Sequence, residues 1–307
     1  MAIAKKDRGL KQKYMFPFVV LAPLIVLYIL FVYYPLGYSI WSSLHLWVIE
    51  NPLKSTFIGL RNYIELFTAN PRFNKAFSNT FIYVGVKTAL VIPLGLLFAT
   101  LLAHLRRGQR FYIFSVFLPA LCTPAAIGVL FSYLFQTRFG LINHVLKTIL
   151  LQPQPFLNSP KQALYCVIAV DSWAFVGLTT LIFYAGLLNI PEVFVEAAKV
   201  DGAGKFRSFF TIKVPLLGHS ILFLAIYTII NAFQTFDFLF VMTSTGSTGG
   251  SAGGPGISSY VMSLLVYNEG MLRGQVDRAT AVATIMLFFV LLFTLVQFKV
   301  LRPKWEY

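Results

Sequence analysis

Six long apolar stretches divide this chain of 307 residues, and no other feature of the sequence constrains its fold as strongly. They lie at approximately 16–40, 77–103, 111–135, 163–188, 216–242 and 279–298. Each is long enough to cross the hydrocarbon core of a bilayer, which takes about 20 mainly apolar residues as a helix. Hydrophobic residues make up 57% of the chain and charged residues 12%, so a water-soluble fold could not cover its own surface. The sequence therefore predicts an all-α integral membrane protein, with six transmembrane helices in a single domain over residues 16–298.

The distribution of Lys and Arg predicts how these helices are oriented. The chain carries 25 Lys and Arg against 11 Asp and Glu, a formal net charge of +14. Fifteen of the 25 fall in the N-tail 1–15, the segments 104–110 and 189–215, and the C-tail 299–307, whereas nine fall in the other loops. Because basic residues concentrate in cytoplasmic loops, we predict that both tails are cytoplasmic. The charges are dispersed over short loops and form no long patch with interleaved aromatic residues, which argues against a nucleic-acid partner.

The residues capable of catalysis or metal binding are too dispersed to predict either activity. The four histidines are His45, His104, His144 and His219. No two of them have the i, i+3 or i, i+4 spacing that places zinc ligands on one helix face. A phosphate-binding loop is also missing, since Lys199 stands where the first glycine before Gly204-Lys205 would be required. We expect no metal site, no catalytic residue and no cofactor in this chain, although a membrane-embedded enzyme stays as an alternative class.

Three charged residues fall within the predicted spans: Lys87, Asp171 and Asp237. A charge at the centre of a membrane helix costs about 2.5–3.5 kcal/mol on insertion scales, so such residues usually face a cavity or a partner. Either aspartate could lie on a solute pathway, make an interhelical hydrogen bond or lie at the end of a span, and Lys87 could snorkel outward or pair. Three scattered charges do not form a proton relay, which weighs against an ion-coupled secondary transporter, the other alternative class.

The polar loop 189–215 is predicted to form two short helices. Asn189 is a candidate cap, Pro191 suits a first helical turn, and Asp201-Gly202 is a turn signal after a helix ending near residue 200. The following segment is amphipathic, with aromatic residues on one side and basic residues on the other. Such a knob would suit the docking of a soluble motor protein, but the residues alone allow a simple interfacial loop equally well.

The spacing Glu196-Ala197-Ala198-x3-Gly202-x9-Ile212-x-Val214-Pro215 resembles the EAA motif of ABC importer permeases. The Asp201-Gly202-Ala203 core fits the same motif, and Val214 stands where Leu is usual. The resemblance implies that this loop is the coupling element seated in a groove of an ATPase subunit. The coupling residues that it implies are Glu196, Ala197, Ala198, Asp201, Gly202, Ala203, Phe209, Ile212 and Pro215.

Four other segments extend the resemblance over nearly the whole chain. They are residues 34–39 (YPLGYS), 57–63 (FIGLRNY), Asn79-Thr80, and Phe236-Asp237 before a Thr/Gly-rich loop that ends in Gly254-Pro255. Together they are similar to carbohydrate-type ABC permeases of the maltose or glycerol-3-phosphate kind, in particular to the first permease of a heteromeric pair. Asp237 is the candidate residue for the substrate pathway.

The resemblance carries specific expectations. The fold would be the MetI-like membrane domain of a type I ABC importer, in the plasma (inner) membrane of a bacterium or archaeon. The solute would be a sugar, an oligosaccharide or a related polyol-phosphate. The partners would be a second permease subunit, two ATP-binding cassette subunits that hold ATP and Mg, and an extracytoplasmic solute-binding protein.

The predicted orientation can be tested by cysteine labelling. In a variant without Cys122 and Cys166, Pro52→Cys and Gly204→Cys should react with an impermeant thiol reagent from opposite sides of the membrane, because their loops differ in basic charge. Right-side-out and inverted vesicles provide the comparison. Labelling of both positions from the same side would contradict the assignment of the spans.

Overall fold

The computed structural model describes residues 20–47, 55–105, 107–246 and 252–301. The predicted N-tail 1–15, position 52 and most of the predicted C-tail lie outside the described residues. Within them the chain is overwhelmingly helical, with one short antiparallel strand pair in which His45 is opposite Phe57. The prediction of an all-α fold is therefore confirmed.

The α-helices and β-strands of the described residues follow one another along the chain. In order they are α1 (Val20–Ser43), β1 (His45–Leu46), β2 (Thr56–Phe57), α2 (Arg61–Ala69), α3 (Pro71–His104), α4 (Gln109–Leu121), α5 (Pro124–Leu134), α6 (Leu141–Thr148), α7 (Ala163–Leu188), α8 (Glu192–Val200), α9 (Lys205–Leu216), α10 (Gly218–Phe233), α11 (Asp237–Gly246), α12 (Met262–Tyr267) and α13 (Val276–Val300). Segments of π-helix interrupt α1 at Ile29–Tyr33 and α9 at Phe209–Lys213.

Among the described residues, four helices are long and apolar enough to cross a membrane alone: α1, α3, α7 and α13. Two helix pairs reach that length and hydropathy only together, and both are bent, α4 with α5 at 94° and α9 with α10 at 68°. The prediction of six spans is consistent with this architecture when each bent pair counts as one crossing. A straight third helix over 111–135 is wrong, because the chain breaks at Cys122 and Thr123. Thr123 is extended before Pro124, and its hydroxyl accepts a hydrogen bond from the Ala126 N–H, which starts α5 in a new direction.

The predicted fifth span, 216–242, also differs from the structure. Its helix α10 starts at Gly218 and ends at Phe233, and residues 234–236 separate it from α11. Helix α11 packs against α5, where Gly128 lies against Val241 and Met242. Asp237 is thus not the outer end of a long span, because it begins a separate helix.

Helices α3 and α7 form the most extensive helix contact and run parallel in a constant register. Lys87 meets Asp171, and eight residues further along each helix Gly95 meets Thr179. A Cβ atom on Gly95 would come within 2.5 Å of Thr179 Cγ2, so the absence of a side chain permits this close approach. Both helices therefore run from one pole of the protein to the other in the same direction.

The connecting segments of the described chain gather at two poles. At one pole Gln109 donates hydrogen bonds to Leu102 O and Tyr184 Oη, near the segment that links α7 to α10. At the other pole α2 approaches the start of α13, where Arg278 pairs with Glu65. We call these the loop pole and the outer pole.

Candidate functional site

The loop at 189–215 folds as a two-helix hairpin of α8 and α9 at the loop pole. Pro191 directly precedes α8, and Glu192 lies in its first turn, where a negative charge favours the positive end of the helix dipole. Asn189 does not cap α8, contrary to the sequence expectation. Its N–H bonds to Ala185 O and Gly186 O, so it closes the last turn of α7 instead.

The turn of the hairpin depends on Gly202, whose φ is +76°. The Gly202 N–H donates to Lys199 O and the Ala203 N–H donates to Ala198 O at 2.8 Å, which closes α8 in a Schellman motif. Left-handed backbone costs a residue with a Cβ about 1–2 kcal/mol more than glycine. Apart from Gly202 itself and its two chain neighbours, no atom of the described chain lies within 4 Å of a Cβ built on Gly202, so this position faces open space.

The structure places all nine residues of the EAA resemblance on this hairpin. Ala198 is buried against the rest of the chain, Ala203, Phe209 and Ile212 are half-buried, and the exposed members are Glu196, Ala197, Asp201, Gly202 and Pro215. One side of the hairpin therefore anchors it and the other side is open.

The second polar feature is a buried network between α3, α7 and α10. Lys87 Nζ lies 2.6 Å from Asp171 Oδ2 and 2.6 Å from Asn231 Oδ1. The Tyr83 hydroxyl donates to the same Asp171 oxygen at 2.6 Å and lies 3.4 Å from Thr235 Oγ1. Lys87 is fully buried and Asp171 nearly so. The network joins three helices through one ion pair.

The network also resolves the alternatives that the sequence left open for Lys87 and Asp171. Lys87 does not snorkel, because none of its side chain reaches the surface of the described chain. Its ammonium lies 4.7 Å from the centre of the Phe175 ring, a favourable cation–π position. Each partner stands 17 residues before the end of its helix. The sequence contained a signal for this pair. The predicted second and fourth spans cross the membrane in the same direction, and Lys87 and Asp171 carry opposite charges at nearly the same depth in them.

A cavity of about 420 Å³ lies beside this network. Asp171 and Asn231 form part of its wall, and Asp237 at the start of α11 forms another part. The cavity also contains the break at Cys122 between α4 and α5 and the break between α10 and α11. Asp171 and Asp237, the two aspartates considered for the solute pathway, therefore line the same cavity.

The other lining residues of this cavity are suited to a small polar molecule. The Phe175 and Tyr227 rings stack at 5.5 Å, and Gln234 and Thr235 add amide and hydroxyl groups. Among the described residues that line the cavity, two are acidic and none is basic. Aromatic faces combined with a few convergent polar groups are typical of ligand sites.

The Asn79-Thr80 pair contributes to the fold of the outer pole. The Asn79 amide donates to Ser258 O and Tyr260 O, both at 2.8 Å, and Thr80 Oγ1 accepts from the Met262 N–H at 2.9 Å. These bonds fix the segment before α12 against α3 across 180 residues of sequence.

Ion pairs cluster at the outer pole, and one of them joins α2 to α13. Arg61 donates to Glu65 Oε1 at 2.7 Å, and this hydrogen bond is the main reason that the pKa of Glu65 is below its usual value. Arg278 of α13 lies 3.3 Å from the other oxygen of Glu65. Burial raises the pKa of Glu269, although Arg273 pairs with it at 3.0 Å.

Residues 91–307 match the family model described as "Binding-protein-dependent transport system inner membrane component". The chain is 31% identical over 299 residues to the "Probable ABC transporter permease protein YurN" of Bacillus subtilis, covering 96% of this chain and 99% of that protein. It is 32% identical over 291 residues to the sn-glycerol-3-phosphate transport system permease protein UgpA of Salmonella typhimurium, covering 95% of each.

Solved structures show the same fold. A chain of a bacterial ABC transporter involved in the import of the acidic polysaccharide alginate superposes with a TM-score of 0.80 at 20% identity, covering 98% of this chain and 100% of that one. A chain of the alginate transporter in complex with an alginate pentasaccharide-bound periplasmic protein gives 0.79 at 20% identity, covering 96% of each. A chain of the MetNI methionine ABC transporter gives 0.52 at 15% identity, covering 76% and 96%.

The buried ion pair generates a stability prediction. Asp171→Asn leaves the Lys87 ammonium buried without its counter-charge, which should lower the free energy of unfolding by about 3–5 kcal/mol. The double variant Lys87→Met with Asp171→Asn should recover most of that loss, because no unpaired charge then stays buried. Arg61→Gln, which breaks the exposed pair with Glu65, is the matched control and should cost about 0–1 kcal/mol. The measurements are membrane protein level and thermal unfolding in detergent. A double variant less stable than either single variant would contradict the pairing.

Proposed function

We propose how this chain couples to its partners and which solute it carries, from the premise that it belongs to the binding-protein-dependent transport system inner membrane component family. It is a permease subunit of an ABC importer. Permeases of this family are inner-membrane proteins and are not enzymes themselves. We propose that ATP is hydrolysed in two ATP-binding cassette subunits, that a second permease completes the pathway, and that a solute-binding protein delivers the solute. The periplasmic protein in the alginate transporter complex supports the last partner.

The proposed coupling element is the hairpin of α8 and α9. The observation that supports it is the contrast between its two sides, since Ala198 is buried while Glu196, Asp201 and Gly202 are exposed. A short, rigid projection closed by backbone hydrogen bonds can transmit a displacement that a flexible loop would absorb. We place this hairpin on the cytoplasmic side together with both tails, because that side carries most of the basic residues.

The proposed solute is an uncharged sugar or oligosaccharide. The cavity beside Asp171 offers an aromatic face at Tyr227 and polar groups at Asn231 and Gln234, which suits a molecule with apolar ring faces and many hydroxyl groups. Lys87 offsets the charge of Asp171, but Asp237 would repel an anion, and among the described residues that line the cavity none is basic. The related UgpA proteins are named for sn-glycerol-3-phosphate, so we propose that this chain differs from them in the charge of its solute.

Substitution of Gly202 tests the coupling proposal. Gly202→Asp should leave the membrane level near normal, weaken association with the ATPase and abolish uptake, because it adds strain and a bulky charge at an exposed turn. Gly202→Asn separates the two causes, since asparagine tolerates left-handed backbone but still adds a side chain. The control is Gly108→Asp, because Gly108 also has a positive φ of 72° at the same pole and lies outside the hairpin. Wild-type association and uptake in Gly202→Asp would refute the proposed coupling role.

Substitution of Tyr227 tests the solute proposal. In the importer reconstituted with its binding protein, Tyr227→Ala should lower uptake of a neutral oligosaccharide about threefold to tenfold, as expected for the loss of one aromatic contact. Basal ATP hydrolysis should persist. Tyr133→Ala is the control, because Tyr133 is exposed on α5 and does not line the cavity. Uptake of sn-glycerol-3-phosphate, without uptake of any neutral sugar in the panel, would overturn the solute class.

A further inference from the structure

A larger cavity, of about 780 Å³, lies at the loop pole between α3 and the hairpin. One wall is a single face of α3, formed by Pro93, Leu96, Leu97, Thr100 and His104 at helical spacing. Two of the nine residues of the EAA resemblance, Ala203 and Phe209, line this cavity. The coupling proposal rests on the exposed side of the hairpin and names no occupant for the cavity.

The interior of the cavity is apolar. The wall opposite α3 is formed by three phenylalanines of α9, Phe206, Phe209 and Phe210. The ring centre of Phe210 lies 4.8 Å from that of Phe206 and 5.1 Å from that of Phe209. Phe206 is 79% exposed in this chain. A large aromatic side chain left so exposed at the end of a membrane span indicates an apolar occupant or the bilayer itself.

The cavity also contains basic residues. Lys199, Lys205 and Lys213 line it together with His104, and no acidic residue of the described chain does. Within residues 107–246, none of these three lysines has an ion pair or a hydrogen bond from its side chain. Three unpaired ammonium groups beside an apolar cavity favour an occupant that combines a negative charge with an apolar body.

The chemistry of the cavity walls distinguishes between possible occupants. Pro93 and His104 are separated by eleven residues of helix, so the apolar wall on α3 is about 16 Å long. The polar surface of a water-soluble ATPase would leave this wall and the phenylalanines without an apolar partner, and an apolar helix of a second permease would leave the lysines unpaired. We propose that this cavity binds one anionic phospholipid, with its phosphate at the three lysines and an acyl chain between α3 and the phenylalanines.

Photolabelling of the assembled importer in nanodiscs tests this proposal. The probe is phosphatidylglycerol that carries a photoactivatable diazirine on its acyl chain, and peptide mass spectrometry maps the labelled residues. We expect labels in 93–100 and 206–210, with competition by unlabelled phosphatidylglycerol and not by phosphatidylcholine. Equal labelling from a phosphatidylcholine probe would show an unselective boundary lipid and overturn the proposal.

Two kinds of variant separate the charge contribution from the apolar contribution. Lys205→Gln with Lys213→Gln should lower labelling about tenfold or more, because each lysine near an anionic lipid contributes about fivefold. Arg107→Gln with Arg207→Gln removes two exposed charges from the same pole, and labelling should stay at the wild-type level because neither residue lines the cavity.

Thr100→Phe should reduce labelling by filling the cavity while it leaves the lysines in place. Equal labelling in the lysine variant and its control would overturn the proposal. So would labelling of the isolated chain that disappears in the assembled importer, because a partner subunit would then be the occupant. None of these readouts depends on solute uptake, so they are independent of the proposed solute and coupling roles.

Discussion

The ion pair between Lys87 and Asp171 is the interaction on which the arrangement of the central helices depends. Two charges taken out of water lose hydration worth several kcal/mol each, and only close contact with further hydrogen bonds offsets that loss. The structure supplies both, since Asn231 accepts a bond from Lys87 and Tyr83 donates one to Asp171. Because none of these groups can be left unpaired without cost, the network fixes the relative heights of α3 and α7.

Close packing by small residues holds the same register along the helices. Gly95 allows α3 to approach Thr179 of α7, and Gly186 at the end of α7 lies against Leu217 and Ser220. Contacts of this kind depend on complementary shape. Membrane helices associate through them because lipid tails are as apolar as the side chains, so the hydrophobic effect does not drive the helices together. Charge and shape thus specify one arrangement together, and the cavity proposed for the solute lies beside the ion pair.

The parts of this fold that the sequence could predict are those with local signals. The spans follow from hydropathy, α7 at the predicted 163–188 among them, and the hairpin follows from Pro191 and from the turn at Gly202. The break at 234–236 has only a weak local signal, because Gln234, Thr235 and Asp237 are polar but apolar residues flank them and continue to residue 242. The direction of the chain beyond the break is held by the packing of α11 on α5 at Gly128, a contact between residues more than 100 positions apart. The pairing of Lys87 with Asp171 could not be predicted from either segment alone, because it depends on how the two helices are aligned with each other.

The unequal strength of the bonds in this network indicates which helix is free to move. Helices α3 and α7 are joined by an ion pair, whereas α10 is joined to them through Asn231 alone, and Thr235, just beyond the end of α10, lies 3.4 Å from the Tyr83 hydroxyl. Breaking a charge pair in a buried site costs about 3–5 kcal/mol, but a hydrogen bond contributes a net of about 0.5–3 kcal/mol. Helix α10 also follows the hairpin directly, after the 68° bend beyond Leu216. We therefore expect a displacement of the hairpin to move α10 against a fixed pair of α3 and α7, which would change the wall of the cavity that Asn231 and Tyr227 form.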